Sequence, residues 1–327
     1  MTVNAVSISP LCNPDSLRIA FVSGRAGHWG QSRLLVLFLR RSQRNIKRDL
    51  SYPTRIVRRV LSGSVPGEKA TSTANPIAHP EPRRLNVKPR VVVALDVDSE
   101  LQAMKIVEAL KAEVSIFKVG LELFSSVGPQ IVKKIRDAGC EVFLDCKLLD
   151  IPATVAGASR ASAQMGVLFF NVHCFGGSEM IIAAVQASKL CSRSFDRSPL
   201  VLGVTVFTSL DETAIRRELN VDMSVVEEVR ALARLGVENG LDGIIASPQE
   251  ASSLREILPA KVLIVTPGVR PSWASQNDQK RTATPSEAIR AGADLVVVGR
   301  PITQPPPAIG SPLQAAKLVI DEIAKVI

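Results

Sequence analysis

Asp145 and Lys147 stand two residues apart at the end of an apolar run, residues 142–144, with the composition of a buried strand. The two-residue alternation of strand side chains puts this carboxylate and ammonium on one face. Asp150 follows within a turn, and Pro152 suits the first position of a helix, where its missing N–H leaves no donor unsatisfied and its fixed φ is already helical. Three charges at the carboxyl end of a buried strand are costly unless they pair or act on something. A fixed ammonium beside a carboxylate, partly shielded from water, can stabilise developing charge and move a proton.

The elements that must position these residues are legible from Pro89 onward, where apolar strands and amphipathic helices alternate. Strands are expected at 91–97, 115–119, 141–147, 167–173, 200–207, 242–246, 262–266 and 294–298. Helices are expected at 100–110, 129–138, 152–165, 177–190, 224–239, 249–258, 285–291 and 312–327. In the first helix Ser99 is the expected cap, with Leu101, Met104, Ile106, Val107 and Leu110 on the buried side. Eight such repeats over residues 90–327 match the count and size of a (β/α)8 TIM barrel. An open doubly wound sheet is the alternative, disfavoured because no Gly-x-Gly-x-x-Gly turn accompanies the strands.

In a closed barrel, chemistry sits at the carboxyl ends of the strands. Those ends carry Asp96, Lys118, Asp145 with Lys147, His173, Thr208, Arg270 and the pair Gly299-Arg300. Alone, a strand-end aspartate ordinarily caps the next helix and a lysine is solvated. On one rim, alternating acids and lysines hold one another ionised despite partial burial. The segments Thr266-Pro267-Gly268-Val269-Arg270 and Val298-Gly299-Arg300 follow the last two strands. Barrels commonly bind a phosphate there, through backbone N–H groups and a guanidinium. Gln279, midway along the polar loop between them, could close over the same phosphate or be a plain surface residue.

The net charge of +9 first suggests a polyanionic partner. Its distribution removes that reading. Residues 1–90 hold 16 Lys and Arg against 4 Asp and Glu, a net of +12, and the remainder holds 24 against 27, a net of −3. Residues 1–89 are therefore expected to be a disordered basic leader, or upstream sequence read as protein; an Arg-rich, Ser-rich, acid-poor organellar targeting peptide is the less favoured reading. The leader's apolar run, residues 34–39, is far short of the roughly 20 residues a spanning helix needs. Five cysteines without a Cys-x-x-Cys pair suggest no disulfide framework and fit a reducing, cytoplasmic compartment. Three histidines, of which only His173 lies in the barrel, make a His- or Cys-rich metal site unexpected. Two Trp and one Tyr leave few platforms on which nucleic-acid bases could stack.

From Arg90 onward the motifs resemble the orotidine 5′-phosphate decarboxylase family, most closely its bacterial branch. The resemblance is carried in order by Ala94-Leu95-Asp96, Phe117-Lys118-Val119-Gly120, Asp145-Cys146-Lys147-Leu148-Leu149-Asp150-Ile151-Pro152-Ala153-Thr154, Asn171-Val172-His173, Val204-Thr205-Val206-Phe207-Thr208-Ser209, Thr266-Pro267-Gly268-Val269-Arg270-Pro271, Asp278-Gln279 and Gly299-Arg300-Pro301-Ile302-Thr303. It implies cofactor-independent and metal-free conversion of orotidine 5′-phosphate to UMP in pyrimidine biosynthesis. Lys147 would protonate C6 and Asp145 would lie beside the departing carboxylate, with Lys118 and Asp150 completing the array. Asp96 and Lys118 would hold the ribose hydroxyls, Thr208 the pyrimidine, and Arg270, Gln279, Gly299 and Arg300 the phosphate. Asp150 and Thr154 would reach the neighbouring subunit's site, which implies a homodimer with shared sites and no nucleic-acid or membrane partner. Cys146 and Cys174 depart from the family's usual residues and read as packing changes. The nearest alternative is a magnesium-dependent sugar-phosphate decarboxylase or aldolase, which shares the Asp-x-Lys-x-x-Asp segment. Those relatives carry an acid where this chain has Lys118, and a cation there would repel the metal. A non-catalytic phosphate-binding barrel is the other alternative, opposed by the intact charge array.

Overall fold

The structure, a computed structural model, describes residues 89–191, 198–274 and 282–327, and the backbone of two short strands, Ile19–Val22 and Leu35–Phe38. These two pair antiparallel, with Ile19 opposite Phe38 and Val22 opposite Leu35. The second falls within the leader's apolar run. The expectation of a disordered leader otherwise concerns residues outside the described ones. No helix among the described residues is long and apolar enough to cross a membrane.

The barrel strands are β1 (Val91–Ala94), β2 (Ile116–Gly120), β3 (Glu141–Leu148), β4 (Phe169–His173), β5 (Leu200–Val204), β6 (Gly243–Ile245), β7 (Leu263–Thr266) and β8 (Leu295–Val298). Each pairs in parallel with its sequence neighbours, and β8 pairs with β1 to close the barrel. All eight lie where the sequence places them, several of them shorter. β5 stops at Val204 rather than residue 207, and Val206 and Phe207 turn out of the ladder to line a cavity at the rim.

The helices are α1 (Glu100–Leu110), α2 (Leu121–Val127), α3 (Gln130–Asp137), α4 (Pro152–Gln164), α5 (Gly177–Cys191), α6 (Glu212–Glu218), α7 (Val225–Glu238), α8 (Pro248–Ile257), α9 (Pro285–Arg290), α10 (Arg300–Thr303) and α11 (Pro312–Ala324). Three of these, α2, α6 and α10, were not expected. α2 and α6 bury one residue each, Leu123 and Ile215, so they carry no repeating apolar face to signal a helix. α1 corrects two expectations. Its buried residues are Ala103, Val107 and Leu110, while Leu101 is 81% exposed. At about 100° per residue, position 101 lies roughly 200° from position 103, on the opposite side. Ser99 occupies the N-cap without a side-chain cap hydrogen bond. Complete capping boxes form instead at Ser224 with Glu227, Thr284 with Glu287 and Ser311 with Gln314.

Two apolar layers follow from strand alternation. One set of side chains faces the helices; the other fills the barrel with Val92, Ile116, Phe143, Phe169, Leu202, Val265 and Val297 among others. Phe143 and Phe169 meet edge to face at 5.9 Å. The next inward position on three adjacent strands, two residues further along, is occupied by Lys118, Asp145 and Asn171. The same period that fills the barrel thus floors the polar groups with apolar side chains.

Candidate active site

Four charges form one chain at the carboxyl ends of β1 to β3. Lys118 Nζ lies 2.9 Å from Asp96 Oδ1 and 3.3 Å from Asp145 Oδ2, and Lys147 Nζ lies 2.7 Å from Asp145 Oδ1. Lys118 and Asp145 are buried, whereas Asp96 is open to solvent and Lys147 is partly covered. Burial alone would lower the Lys118 pKa, but the Asp145 and Asp96 carboxylates more than offset it, so the pKa is raised and the ammonium persists. Gly120 leaves room for that group, because a Cβ there would lie 3.0 Å from Lys118 Nζ.

Lys147 reaches Asp145 by a route that simple alternation does not contain. Its φ is 51°, a left-handed conformation that costs a non-glycine residue roughly 1–2 kcal/mol. The ladder to β4 jumps from Leu144 opposite Phe170 to Leu148 opposite Val172, so four steps on β3 match two on β4. The lysine N–H freed by this bulge donates to Asn171 Oδ1 at 2.7 Å, and Asn171 Nδ2 donates to Asp145 Oδ1 at 2.7 Å.

The charges border a cavity of about 260 Å³, also lined by Phe207, Thr208, Ser247, Gly268, Arg270, Gly299 and Arg300. Gly268 has φ 77°, a conformation open chiefly to glycine, and follows β7 directly after Pro267. Arg270 is buried, and its backbone N–H donates to the Ala283 carbonyl at 2.9 Å, which pins the base of the polar loop. A Cβ at Gly299 would come within 3.3 Å of Asp96 Oδ2 and 3.4 Å of Ala94 Cβ. Glycine there keeps the end of β8 open to whatever fills the cavity. The arginines after β7 and β8 therefore face the same space as the Lys118–Asp145–Lys147 group.

Of the residues expected to form a site, Asp96, Lys118, Asp145, Lys147, Thr208, Arg270, Gly299 and Arg300 all line this one cavity. Asp150 and Thr154 do not. Both are exposed, and Asp150 Oδ1 accepts from the Ile151 N–H at 2.6 Å. Gln279 lies outside the described residues. Asn171 was not among the expected site residues; an amide within the apolar stretch Phe-Phe-Asn-Val is a signal in itself, since a buried amide demands partners.

Two thiols and one imidazole on β3, on β4 and just after it are held in their neutral forms by burial. Burial raises the Cys146 thiol to about 11, helped by Asp145, and the Cys174 thiol to about 12, so both stay protonated at neutral pH. His173 is stacked on Phe175 at 5.2 Å and meets Phe207 edge-on at 4.9 Å, while its Nδ1 accepts from the Phe175 N–H. Burial, and then the charge of Lys147, lower its pKa from 6.5 to about 4. Between these values the unfolded chain binds more protons than the folded one, so stability falls as pH falls from 6.5 towards 4. The full shift corresponds to about 3 kcal/mol. Urea unfolding at pH 7 and pH 4.5 should show a smaller acid loss in His173→Gln than in the wild type, by about 1–3 kcal/mol. Equal losses would show that His173 is not held neutral.

A closed eight-stranded barrel thus carries paired lysines and acids together with two glycine-arginine segments around one rim cavity. The chain belongs to the orotidine 5′-phosphate decarboxylase / HUMPS family, which its residues 89–316 match. It is 43% identical over 244 residues to orotidine 5′-phosphate decarboxylase of Moorella thermoacetica, covering 74% of this chain and 95% of that protein. It is 46% identical over 215 residues to the enzyme of the same name from Pseudoalteromonas translucida, covering 66% of this chain and 90% of that protein. Among solved structures, orotidine 5′-phosphate decarboxylase from Lactobacillus acidophilus superposes with a TM-score of 0.63 at 37% identity, over 71% of this chain and 98% of that one.

Proposed function

We propose that this chain decarboxylates orotidine 5′-phosphate to UMP without metal or cofactor, and that Lys147 delivers the proton to C6. The observation that carries the reading is the unbroken Asp96–Lys118–Asp145–Lys147 array on a cavity that Arg270, Gly299 and Arg300 also line. Loss of carbon dioxide leaves an electron pair in the plane of the pyrimidine at C6, where no π-system delocalises it. An ammonium fixed beside that carbon stabilises the charge as it develops and then donates a proton, and the resulting amine regains one from solvent. Asp145 orients the ammonium and lies beside the departing carboxylate. Asp96 and Lys118 hold the ribose hydroxyls, Thr208 contacts the base, and Arg270, Gly299, Arg300 and Gln279 bind the phosphate.

The reading includes a second copy of the chain. Asp150 and Thr154 stand outside their own cavity, next to the exposed side chains of Leu149 and Ile151, as expected of residues that complete a partner's site. The free thiols of Cys140, Cys146 and Cys174 favour the cytoplasm as the compartment. Against the magnesium-dependent alternative, the Lys118 ammonium bridges the two carboxylates that would otherwise be available to a divalent cation.

Purified protein in excess EDTA should bleach the absorbance of orotidine 5′-phosphate with formation of UMP. Absence of conversion, or conversion only after Mg²⁺ is added, would defeat the proposal.

A further inference from the structure

We propose that Asn171 is a positioning residue for proton delivery, setting both the backbone of Lys147 and the rotation of the Asp145 carboxylate; this rests on the decarboxylase reading above. Asn171 is fully buried on β4, between Phe170 and Val172, and its inward neighbour two residues earlier is Phe169. An amide in such surroundings is tolerated when its donors and acceptor are used. Its two ends are used on the two members of the acid–base pair. Oδ1 accepts the Lys147 N–H at 2.7 Å, the donor that the bulge in β3 removes from the strand ladder, and Nδ2 donates to Asp145 Oδ1 at 2.7 Å.

The amide can sit only this way round. With its ends exchanged, the NH₂ would face the lysine N–H and the carbonyl would face a carboxylate. Asp145 Oδ1 therefore carries two donors, the amide and the Lys147 ammonium, and Oδ2 is left turned towards Lys118. The same side chain satisfies the left-handed residue at φ 51° that brings the ammonium back over Asp145. No other residue type supplies an acceptor and a donor in this fixed pairing with the same reach, apart from a protonated carboxyl group.

That exception provides the test. In Asn171→Asp the new carboxylate still accepts from Lys147 N–H but faces Asp145 at hydrogen-bond distance. Two carboxylates so placed share a proton, and only the protonated pair restores the lost donor. The other charged or titratable groups near it are Lys147 and Cys146 on β3, Lys118 on β2, His173 on its own strand and Cys174 just after it, both thiols staying protonated over most of the range; β5 contributes Leu202 and Val204, which do not titrate.

Decarboxylation of orotidine 5′-phosphate would be measured from pH 5 to 9 for wild type, Asn171→Asp and Asn171→Ala, per UMP-binding site. At pH 8 kcat should fall about 10- to 100-fold in both variants, with KM within about threefold. The Asp variant should recover towards wild type as pH falls, and the Ala variant should not. Wild-type kcat per site in either variant, equal pH profiles for the two, or failure of both to fold would overturn the proposal and leave Asn171 a core residue. A wild type without turnover would overturn the decarboxylase reading itself and this inference with it, whereas an active wild type with unaltered variants would remove the inference alone.

Discussion

Replacing Lys147 with alanine should lower kcat for orotidine 5′-phosphate by about 10⁴-fold or more, because in the proposed reaction one group supplies both the charge stabilising the C6 electron pair and the proton that quenches it. UMP affinity should change far less. The residues proposed to hold phosphate and ribose lie on other strands, and Asp145 retains Asn171 Nδ2 at 2.7 Å and Lys118 Nζ at 3.3 Å when the lysine is removed. The barrel should also remain folded, since the Lys147 side chain is 30% exposed and alanine meets the left-handed backbone at a cost similar to that of lysine. Steady-state rates with parallel UMP titration would check this. A variant within about tenfold of wild-type turnover would remove the proton-donor role, since loss of one general acid alone costs roughly 10²-fold at least.

Orotidine lacking its phosphate should be converted with kcat/KM lower by about 10³-fold or more, and the double variant Arg270→Ala, Arg300→Ala should lose a comparable amount with the full substrate. Each charged hydrogen bond to an ionised group is worth roughly 1.5–3 kcal/mol, so two guanidiniums alone account for about 3–6 kcal/mol. The two arginines follow β7 and β8 and line the same cavity as the array on β1 to β3. Energy gained there can organise the site as well as hold the ligand, so the loss should fall on kcat as well as KM. A change confined to KM would mean that phosphate binding is uniform in the ground and transition states.

The barrel was legible because its signal is repeated: eight apolar strands with helical faces between them fix order and closure even when their ends shift by a few residues. The short helices α2 and α6 were missed because single buried residues, Leu123 and Ile215, make no pattern. At the site, residue types at strand ends were enough to gather Asp96, Lys118, Asp145, Lys147 and the two arginines around one cavity. How they meet was not legible. Alternation put Asp145 and Lys147 on one face, yet the contact depends on a bulge and a left-handed lysine, and neither has a local signature such as glycine. Asn171 escaped as a site residue for a related reason. Its partners lie 24 and 26 residues away in sequence, and only the parallel pairing of β3 with β4 brings them together.

The proposed reaction is a metal-free decarboxylation that ends with a proton placed on C6. The measurement that meets it most directly is turnover of orotidine 5′-phosphate by the EDTA-treated protein in D₂O, following carbon dioxide and the position of deuterium in the product together. One carbon dioxide released and one deuterium at C6 for each substrate consumed is the predicted result. A requirement for Mg²⁺, or a product carrying no deuterium at C6, would contradict it.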